Sequence, residues 1–123
     1  MKLTLENSSR LNLIRAYSAT ELHIGEQIVR ARCIVTPTEL ITDWTPATYA
    51  EVDLAHLDTI LALKPDIVVL GTGATQRFPP APFRGVFARA GVGLEVMDLG
   101  AACRTFNILV QEERRVAAAL FFE

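Results

Sequence analysis

A short, continuous run of apolar residues, Ile67 to Leu70, leads directly into Gly71-Thr72-Gly73. A strand that is apolar at consecutive positions is covered on both faces, which is typical of the parallel sheets of α/β proteins. Closely spaced glycines after such a strand leave bare backbone where a ligand can approach. The feature predicts an α/β fold more sharply than it predicts any function.

The residues after position 50 alternate between helical and strand patterns. Apolar positions at helical spacing predict a helix that begins behind Asp53, or one turn earlier if Thr48 and Glu51 form a capping box. A short helix that ends at Gly91 and a longer helix capped by Asp98 follow. Three strands accompany these helices, over residues 66–70, 94–97 and 116–121. Right-handed crossovers would make them a small parallel sheet with helices on its faces.

The N-terminal third shows the alternating pattern of antiparallel strands. Strands are predicted around 11–17, 22–24 and 28–35, with a further short strand between Leu40 and Trp44. In the third strand, Cys33 falls on the face predicted to be buried, whereas Arg30, Arg32 and Ile34 share the face predicted to be mostly in water. This meander predicts a second, antiparallel layer.

Composition indicates a globular chain without a strong preference for charged partners. Half of the 123 residues are hydrophobic and 21% are charged, which is ordinary for a globular domain. Twelve basic and fourteen acidic side chains are mixed along the chain, so nucleic-acid binding is not predicted. No apolar run approaches the roughly 20 residues of a transmembrane helix. Residues 1–10 lack the pattern of a secretory signal, so a cytoplasmic location is predicted.

The cysteines and histidines form no recognisable site. Cys33 and Cys103 show neither a CxxC motif nor ligand spacing with His23 or His56, so no disulfide, metal site or cofactor is predicted. Cys103 lies on the apolar stripe of the last helix, where a buried, unreactive thiol is expected. No catalytic residue is assigned, and an enzyme is the less favoured hypothesis.

Two segments follow the carboxyl ends of parallel strands, where open α/β sheets bind ligands: residues 71–78 and 98–105. Gly71 and Gly73 could present N–H groups to an anion, with the Thr72 hydroxyl and the Arg77 guanidinium as further donors. Gln76 stands where a dinucleotide fingerprint needs its third glycine, so no nucleotide cofactor is implied. The alternative is that the glycines only permit a tight turn beside a packed neighbour.

The second segment places polar side chains at the start of the last helix. Asp98 is its predicted cap, Arg104 and Asn107 lie on one polar face, and Thr105 lies beside them. This face could hold an anionic ligand or a protein partner, and Arg104 would then point toward the glycine loop. The alternative is a solvated helix face on which Asp98 is only a cap.

Several segments resemble the Mth938-like family: Gly71 to Gly73, Gln76 to Pro79, Gly93 to Asp98, the signature Arg104-Thr105-Phe106-Asn107, and Arg115 to Leu120. The resemblance spans nearly the whole chain and implies a single domain over residues 1–123. It implies a small three-layer Rossmann-like core with parallel strands plus an additional N-terminal antiparallel β sheet. Leu99 departs from the family, in which a hydroxyl residue such as threonine is frequent at this position.

The family is of largely unassigned function and includes a mitochondrial complex I assembly factor, number three. The resemblance carries no catalytic residues, because fold alone does not specify an activity. It implies a non-catalytic accessory or assembly-type protein that binds a protein partner, linked to the assembly of a respiratory complex. The alternative is a protein that binds, or acts on, a small anionic ligand at the strand ends Gly71–Gly73 and Asp98–Thr105.

Overall fold

The structure, a computed structural model, describes residues 11–123. The residues from which a cytoplasmic location was predicted, 1–10, lie outside this range. In chain order, the described elements are β1 (Ile14–Tyr17), β2 (Leu22–Ile24), β3 (Gln27–Val29), β4 (Cys33–Val35), β5 (Leu40–Ile41), a 3-10 helix (Tyr49–Glu51), α1 (Leu54–Leu61), β6 (Ile67–Thr72), α2 (Ala81–Arg89), β7 (Gly93–Met97), α3 (Leu99–Gln111) and β8 (Val116–Phe121).

Five strands form the central sheet, in the order β5-β4-β8-β6-β7. β6 lies in parallel between β7 and β8, so the predicted parallel arrangement of the three C-terminal strands is confirmed. β4 adds to the outer edge of β8 in the antiparallel direction and carries β5 with it. The sheet is therefore mixed rather than purely parallel.

Alternate residues of the central strands enter two separate cores because successive strand residues face opposite sides of a sheet. Val69, Ala118 and Leu120 belong to a core shared with α3, which we call the α3 core. Val68 and Ala119 belong to a core shared with α1 and α2, which we call the α1/α2 core. Helices thus cover both faces, and the predicted three-layer α/β arrangement is confirmed.

The antiparallel layer is a three-stranded sheet of β1, β2 and β3 that packs on the outside of α3. Its apolar residues Ile14, Leu22, Ile24 and Val29 complete the α3 core. This confirms the predicted N-terminal antiparallel sheet. β1 and β2 change register between Ile14 and Ala16, so the ladder is irregular where β1 begins.

The prediction of one strand over residues 28–35 is wrong. β3 ends at Val29 and pairs with β2, whereas β4 begins at Cys33 and pairs with β8 in the other sheet. Ile34 is fully buried in the α1/α2 core rather than on a wet face. The chain leaves one sheet and enters the other because the apolar face of β3 and both faces of β4 are covered by different partners.

Asp53 is the N-cap of α1, as in one of the two alternatives predicted. Its side chain accepts a hydrogen bond from the backbone N–H of His56, and its own N–H donates to Nδ1 of His56 at 3.0 Å. Thr48 and Glu51 also bond through their side chains, but they belong to the separate 3-10 helix, in which Thr48 is the N-cap position and Glu51 the last residue. His56 is therefore a capping residue of α1.

Candidate functional site

The carboxyl ends of β6 and β7 meet at one edge of the sheet, as predicted. The N–H of Leu99 donates to the carbonyl of Gly73 at 2.8 Å, which ties the start of α3 to the glycine turn. The Thr72 hydroxyl lies 3.3 Å from the Met97 carbonyl. The two segments singled out in the sequence are therefore in direct contact.

Gly71 lies inside β6 rather than in the loop after it. It is paired with Met97 on one side and Leu120 on the other, so its backbone is part of the ladders of the sheet. A Cβ at this position would come within 2.9 Å of the Ala102 Cβ on α3. The absence of a side chain at Gly71 allows α3 to approach the sheet, which agrees with the packing alternative.

Gly73 makes the turn, and Glu123 fills the space beside it. Gly73 has a φ of +99°, a conformation that side chains disfavour, and a Cβ there would overlap the Glu123 carbonyl oxygen. That oxygen accepts a hydrogen bond of 3.0 Å from the N–H of Ala74. The Ala74 N–H of the turn is thus bonded to the backbone of this chain, where the sequence predicted N–H groups that bind an anion.

Arg77 is engaged with its own chain on the α1/α2 side of the sheet. Its guanidinium donates to the Thr72 carbonyl at 2.8 Å and pairs with the Glu123 carboxylate at 3.4 Å. It also lies 4.9 Å from the centre of the Tyr49 ring. Glu123 accepts a further bond from the Tyr49 N–H. Within residues 11–123, the buried Nε of Arg77 has no hydrogen-bond partner.

Tyr49, which is buried in the α1/α2 core, completes this cluster. Its hydroxyl donates to the Arg77 carbonyl at 3.0 Å, and its ring packs edge-on against Phe121. Burial raises the pKa of this hydroxyl above its ordinary value, and the nearby positive charge of Arg77 opposes that shift. Tyr49, Arg77 and Glu123 therefore form one cluster of hydrogen bonds and an ion pair at the end of β8.

Other predicted site residues hold the backbone in place. Thr72 is fully buried, donates from its hydroxyl to the Thr75 carbonyl at 2.6 Å and accepts from the Arg77 N–H. The Gln76 amide donates to the Val96 carbonyl at 2.8 Å. Asp98 accepts from the Ala101 N–H at 2.8 Å, as expected for a cap.

Asn107 joins α3 to β1. Its side-chain oxygen accepts from the Ile14 N–H and its amide donates to the Ile14 carbonyl, each at 2.8 Å. Because this pair of bonds falls where the β1–β2 register is irregular, Asn107 supplies partners that the ladder does not. Thr105 is half-buried on the same helix.

Arg104 contacts the antiparallel sheet. It is exposed, and its guanidinium donates to the Tyr17 hydroxyl. The Tyr17 ring lies over Gly100, where a Cβ would come within 3.0 Å of it. Beside this contact is a cavity of about 310 Å³, lined by Tyr17, Ser18, Ala19, Gly73, Ala74, Asp98, Leu99, Gly100 and Phe122.

Arg77 and Arg104 are held on opposite faces of the sheet rather than around one concavity. Arg77 lies beside Tyr49, whose ring packs on Phe121 of the α1/α2 core, whereas Arg104 lies on α3 beside Tyr17. Phe121 and the following Phe122 pack against different cores. The assignment of Gly71, Thr72, Gly73, Gln76, Arg77, Asp98, Arg104, Thr105 and Asn107 as a ligand- or partner-binding site stays a prediction.

Tyr17, Tyr49 and Glu123 lie at this edge of the sheet and were not predicted as site residues from the sequence. A signal for Glu123 was available, because β8 runs parallel to β6 and the residues after its end must reach the same edge. Tyr17 and Tyr49 gave no such signal, since neither follows a parallel strand. Their positions depend on how the outer layers pack on the central sheet.

The thiols and imidazoles are placed as structural groups. Cys33 and Cys103 are both buried, as predicted, and both are free cysteines, and burial raises the pKa of each thiol to about 12. Nε2 of His23 pairs with the Glu21 carboxylate at 2.6 Å. Among residues 11–123, no three His, Cys, Asp or Glu side chains are grouped as metal ligands.

Comparison with known proteins places the chain in a family. Residues 14–121 match the model of a family described as proteins of unknown function (DUF498/DUF598). A solution NMR structure of a Bordetella pertussis protein, described as a Mth938-like domain, superposes with a TM-score of 0.78. That protein is 27% identical, and the match covers 98% of this chain and 92% of that chain.

Two curated relatives carry names that concern function or location. NADH dehydrogenase (ubiquinone) 1 alpha subcomplex assembly factor 3 of Xenopus tropicalis is 35% identical over 117 residues, which are 93% of this chain and 63% of that protein. A 13 kDa major membrane protein of Francisella tularensis is 41% identical over 66 residues, 54% of each chain. This chain thus spans between about half and two thirds of the length of these relatives.

No helix within residues 11–123 is both long and apolar enough to cross a bilayer. The family match covers both sheets and all three α-helices described above. Together with the superposition on a solved Mth938-like domain, it shows that this chain belongs to the DUF498/DUF598 family of Mth938-like proteins.

Proposed function

We propose that this protein has an assembly-type role, in which it binds a protein partner while a larger complex is formed and does not itself turn over a substrate. The observation that carries the proposal is the 35% identity over 117 residues with a relative named as an assembly factor of NADH dehydrogenase. Because that relative is longer than this chain, the complex it assembles is carried over only as part of the proposal.

The placement of the polar residues supports a binding role over a catalytic one. Catalysis needs an acid, base or nucleophile whose reactive atom is open to a substrate. Here the hydroxyl of Thr72, the carboxylate of Asp98 and the amide of Asn107 are bonded to the backbone of their own chain. These groups hold the backbone in place, so a protein partner would be bound by side chains on the outer surface.

Deletion of the gene in its native cells tests the proposal. We expect the amount of assembled NADH dehydrogenase on a native gel to fall, and the intact chain to restore it. The Phe106→Asp variant should not restore it, because a carboxylate in this fully buried position would prevent folding. An unchanged amount of complex in the deletion strain would contradict the proposed role in that assembly.

A cytoplasmic location forms part of the proposal. Fractionation of cells that express the tagged chain tests it. Because one relative is named as a membrane protein, the membrane fraction is the one to compare with the supernatant. We expect the chain in the supernatant after the membranes are removed. Recovery in the membrane pellet after washing with high salt would contradict this location.

The cavity beside Tyr17 favours a second candidate function, the binding of a small anionic ligand. This cavity lies where the glycine turn, the Asp98 cap and Phe122 meet, and the Arg104 guanidinium bonds to one of its lining side chains. Arginine is well suited to carboxylates and phosphates, because it can form two parallel hydrogen bonds with them. Of the nine predicted site residues, Gly73 and Asp98 line this cavity, and Arg104 bonds to Tyr17 in its lining.

Thermal denaturation with a panel of nucleotides, sugar phosphates and organic acids tests this second function. A ligand at 100 times its dissociation constant should add about 2.7 kcal/mol of stability. The Arg104→Ala variant should lose that gain, while its own stability changes by less than about 1 kcal/mol, as for an exposed charge. No shift with any compound, or an equal shift in Arg104→Ala, would contradict an anion site at this cavity.

A further inference from the structure

The exposed face of α2 is made of small residues. Phe83 and Phe87 face inward and are buried in the α1/α2 core. Ala81, Gly85 and Ala88 follow the opposite side at intervals of four and three residues, which places them on one helix face. Both alanines are exposed and Gly85 is half-buried. These three residues contribute little side-chain bulk of their own, and the Arg89 side chain is what covers Gly85.

Two arginines border this face, and neither is neutralised within the described chain. Arg84 and Arg89 are exposed, and no ion pair to a carboxylate of residues 11–123 is formed by either of them. The Arg89 guanidinium lies across Gly85, 3.1 Å from the position that a Cβ would take. Because the chain as a whole has a formal charge of -2, this pair of positive charges is a local feature.

Phe78 stands beside this face with 71% of its surface exposed, more than any other large hydrophobic side chain among the described residues. The Arg84 guanidinium lies 6.0 Å from the centre of its ring. Pro79 and Pro80 restrict the backbone that follows, and the bond from Gln76 to Val96 anchors the loop that precedes it. The aromatic ring is therefore presented by a constrained loop, so little conformational entropy would be lost when it is covered.

We propose that this α2 surface, formed by Phe78, Ala81, Arg84, Gly85, Ala88 and Arg89, binds an acidic helical segment of a protein partner. The two guanidinium groups, which form no ion pair within residues 11–123, match carboxylates. A carboxylate that draws the Arg89 side chain away from Gly85 would let a helix approach the small residues. Phe78 would fit between apolar side chains of that segment, since aromatic residues and arginines dominate binding energy at protein interfaces. The inference rests on the proposed function and names the class of partner.

The surface fits a protein helix better than it fits a lipid bilayer. A segment that lies on a membrane buries a broad row of large apolar side chains, beside lysines and arginines that face the headgroups. The α2 surface offers only one large apolar side chain, and alanine and glycine occupy the centre between the arginines. The experiment must still be able to detect contact with a membrane, which would give an adduct to lipid.

Photo-crosslinking in the native cells tests the surface directly. Phe78 is replaced by p-benzoylphenylalanine, which keeps an aromatic ring in place, and the cells are irradiated. A second strain carries the same residue at Ile108, which is 54% exposed on α3 and serves as the matched position. We expect a protein adduct at position 78 and none at position 108, with the crosslinked segment, mapped by mass spectrometry, acidic and helical.

Charge reversal shows whether the arginines hold the partner. In the Arg84→Glu/Arg89→Glu variant, we expect the adduct at position 78 to fall at least tenfold, with an unchanged melting temperature. The control variant Arg15→Glu/Arg114→Glu reverses two exposed charges outside the α2 surface and should keep the adduct. A synthetic peptide of the mapped segment should bind the wild-type chain at least tenfold more tightly than the reversed variant.

Several outcomes would overturn the proposal. These are no adduct at position 78, adduct only at position 108, a mapped segment without net negative charge, an adduct to lipid, or an adduct unaffected by the reversal of Arg84 and Arg89. If deletion of the gene impairs assembly but the reversed variant restores it fully, the proposed function stands and this surface fails. If the adduct behaves as expected but deletion leaves assembly unchanged, the surface stands and the proposed function fails.

Discussion

Phe106 lies at the centre of the α3 core with none of its surface exposed. Replacing it with alanine removes the ring with all its contacts and leaves a cavity, so Phe106→Ala should cost about 3 to 5 kcal/mol of unfolding free energy. Ile108→Ala, on the exposed side of the same helix, should cost less than about 0.5 kcal/mol. Urea denaturation of the two variants measures the difference. A cost below about 1 kcal/mol for Phe106→Ala would contradict the packing of α3 described here.

The two buried thiols predict how stability depends on alkaline pH. Burial raises the pKa of Cys33 and Cys103 to about 12 in the folded chain, whereas an unfolded thiol ionises near pH 8.5. Above that pH the unfolded chain releases protons that the folded chain keeps, so the free energy of unfolding should fall as pH rises from about 8.5 to 12. Below about pH 8 this contribution is fully present.

Denaturation in urea at several pH values, with a Cys33→Ala/Cys103→Ala variant as the control, checks this dependence. Because the double variant lacks both thiols, its stability should fall less steeply above pH 8.5 than that of the wild type. The slopes are compared rather than the absolute stabilities, since the alanines also remove buried volume. Equal slopes would mean that the thiols ionise as readily in the folded chain as in the unfolded one.

At the scale of elements, Asn107 connects α3 to the antiparallel sheet through the backbone of Ile14. Removing its amide leaves a buried donor and a buried acceptor without partners, so Asn107→Ala should cost about 1 to 3 kcal/mol. Asn107→Asp is the matched variant, because it keeps the acceptor for the Ile14 N–H and loses only the donor to the Ile14 carbonyl.

Hydrogen exchange localises the effect of these Asn107 variants. The amide of Ile14 should exchange faster in Asn107→Ala than in the wild type, and the amides of β6 should change only as much as global stability does. Equal loss of protection in β1 and β6, or no loss in either, would show that Asn107 does not tie the antiparallel sheet to α3.

At the scale of the whole molecule, the central sheet contributes alternate residues of β8 to both cores. Neither core can lose its packing while the sheet stays intact, so residues 11–123 should unfold as one cooperative domain. Trp44 reports on the α1/α2 core through its fluorescence, and the accessibility of Cys33 and Cys103 to a thiol reagent reports on the α3 core. The two signals should share one urea midpoint, whereas two midpoints would contradict a single cooperative domain.

Much of the architecture follows from local patterns. The apolar run before Gly71 and the helical stripes around it predict the α-β-α-β-α-β order. A strand buried on both faces is apolar at consecutive positions, whereas a helix buried on one face is apolar about every 3.6 residues, so the two patterns differ in a sequence. Asp53 and Asp98 mark helix starts through short-range bonds, and both caps are present. The break between β3 and β4 escaped this reasoning, since an alternating pattern does not say which sheet a strand joins.

For the site, the sequence alone determined which segments follow parallel strands and therefore meet, since chain direction and strand order settle that edge. Only the tertiary structure decided how their polar groups are used. Arg77 and Glu123 pair across forty-six positions, and Asn107 reaches Ile14 across ninety-three. Hydrogen bonds of this kind depend on distances between elements that no local pattern encodes. They turn predicted ligand groups into backbone supports because a buried polar group must find a partner wherever the packed layers place one.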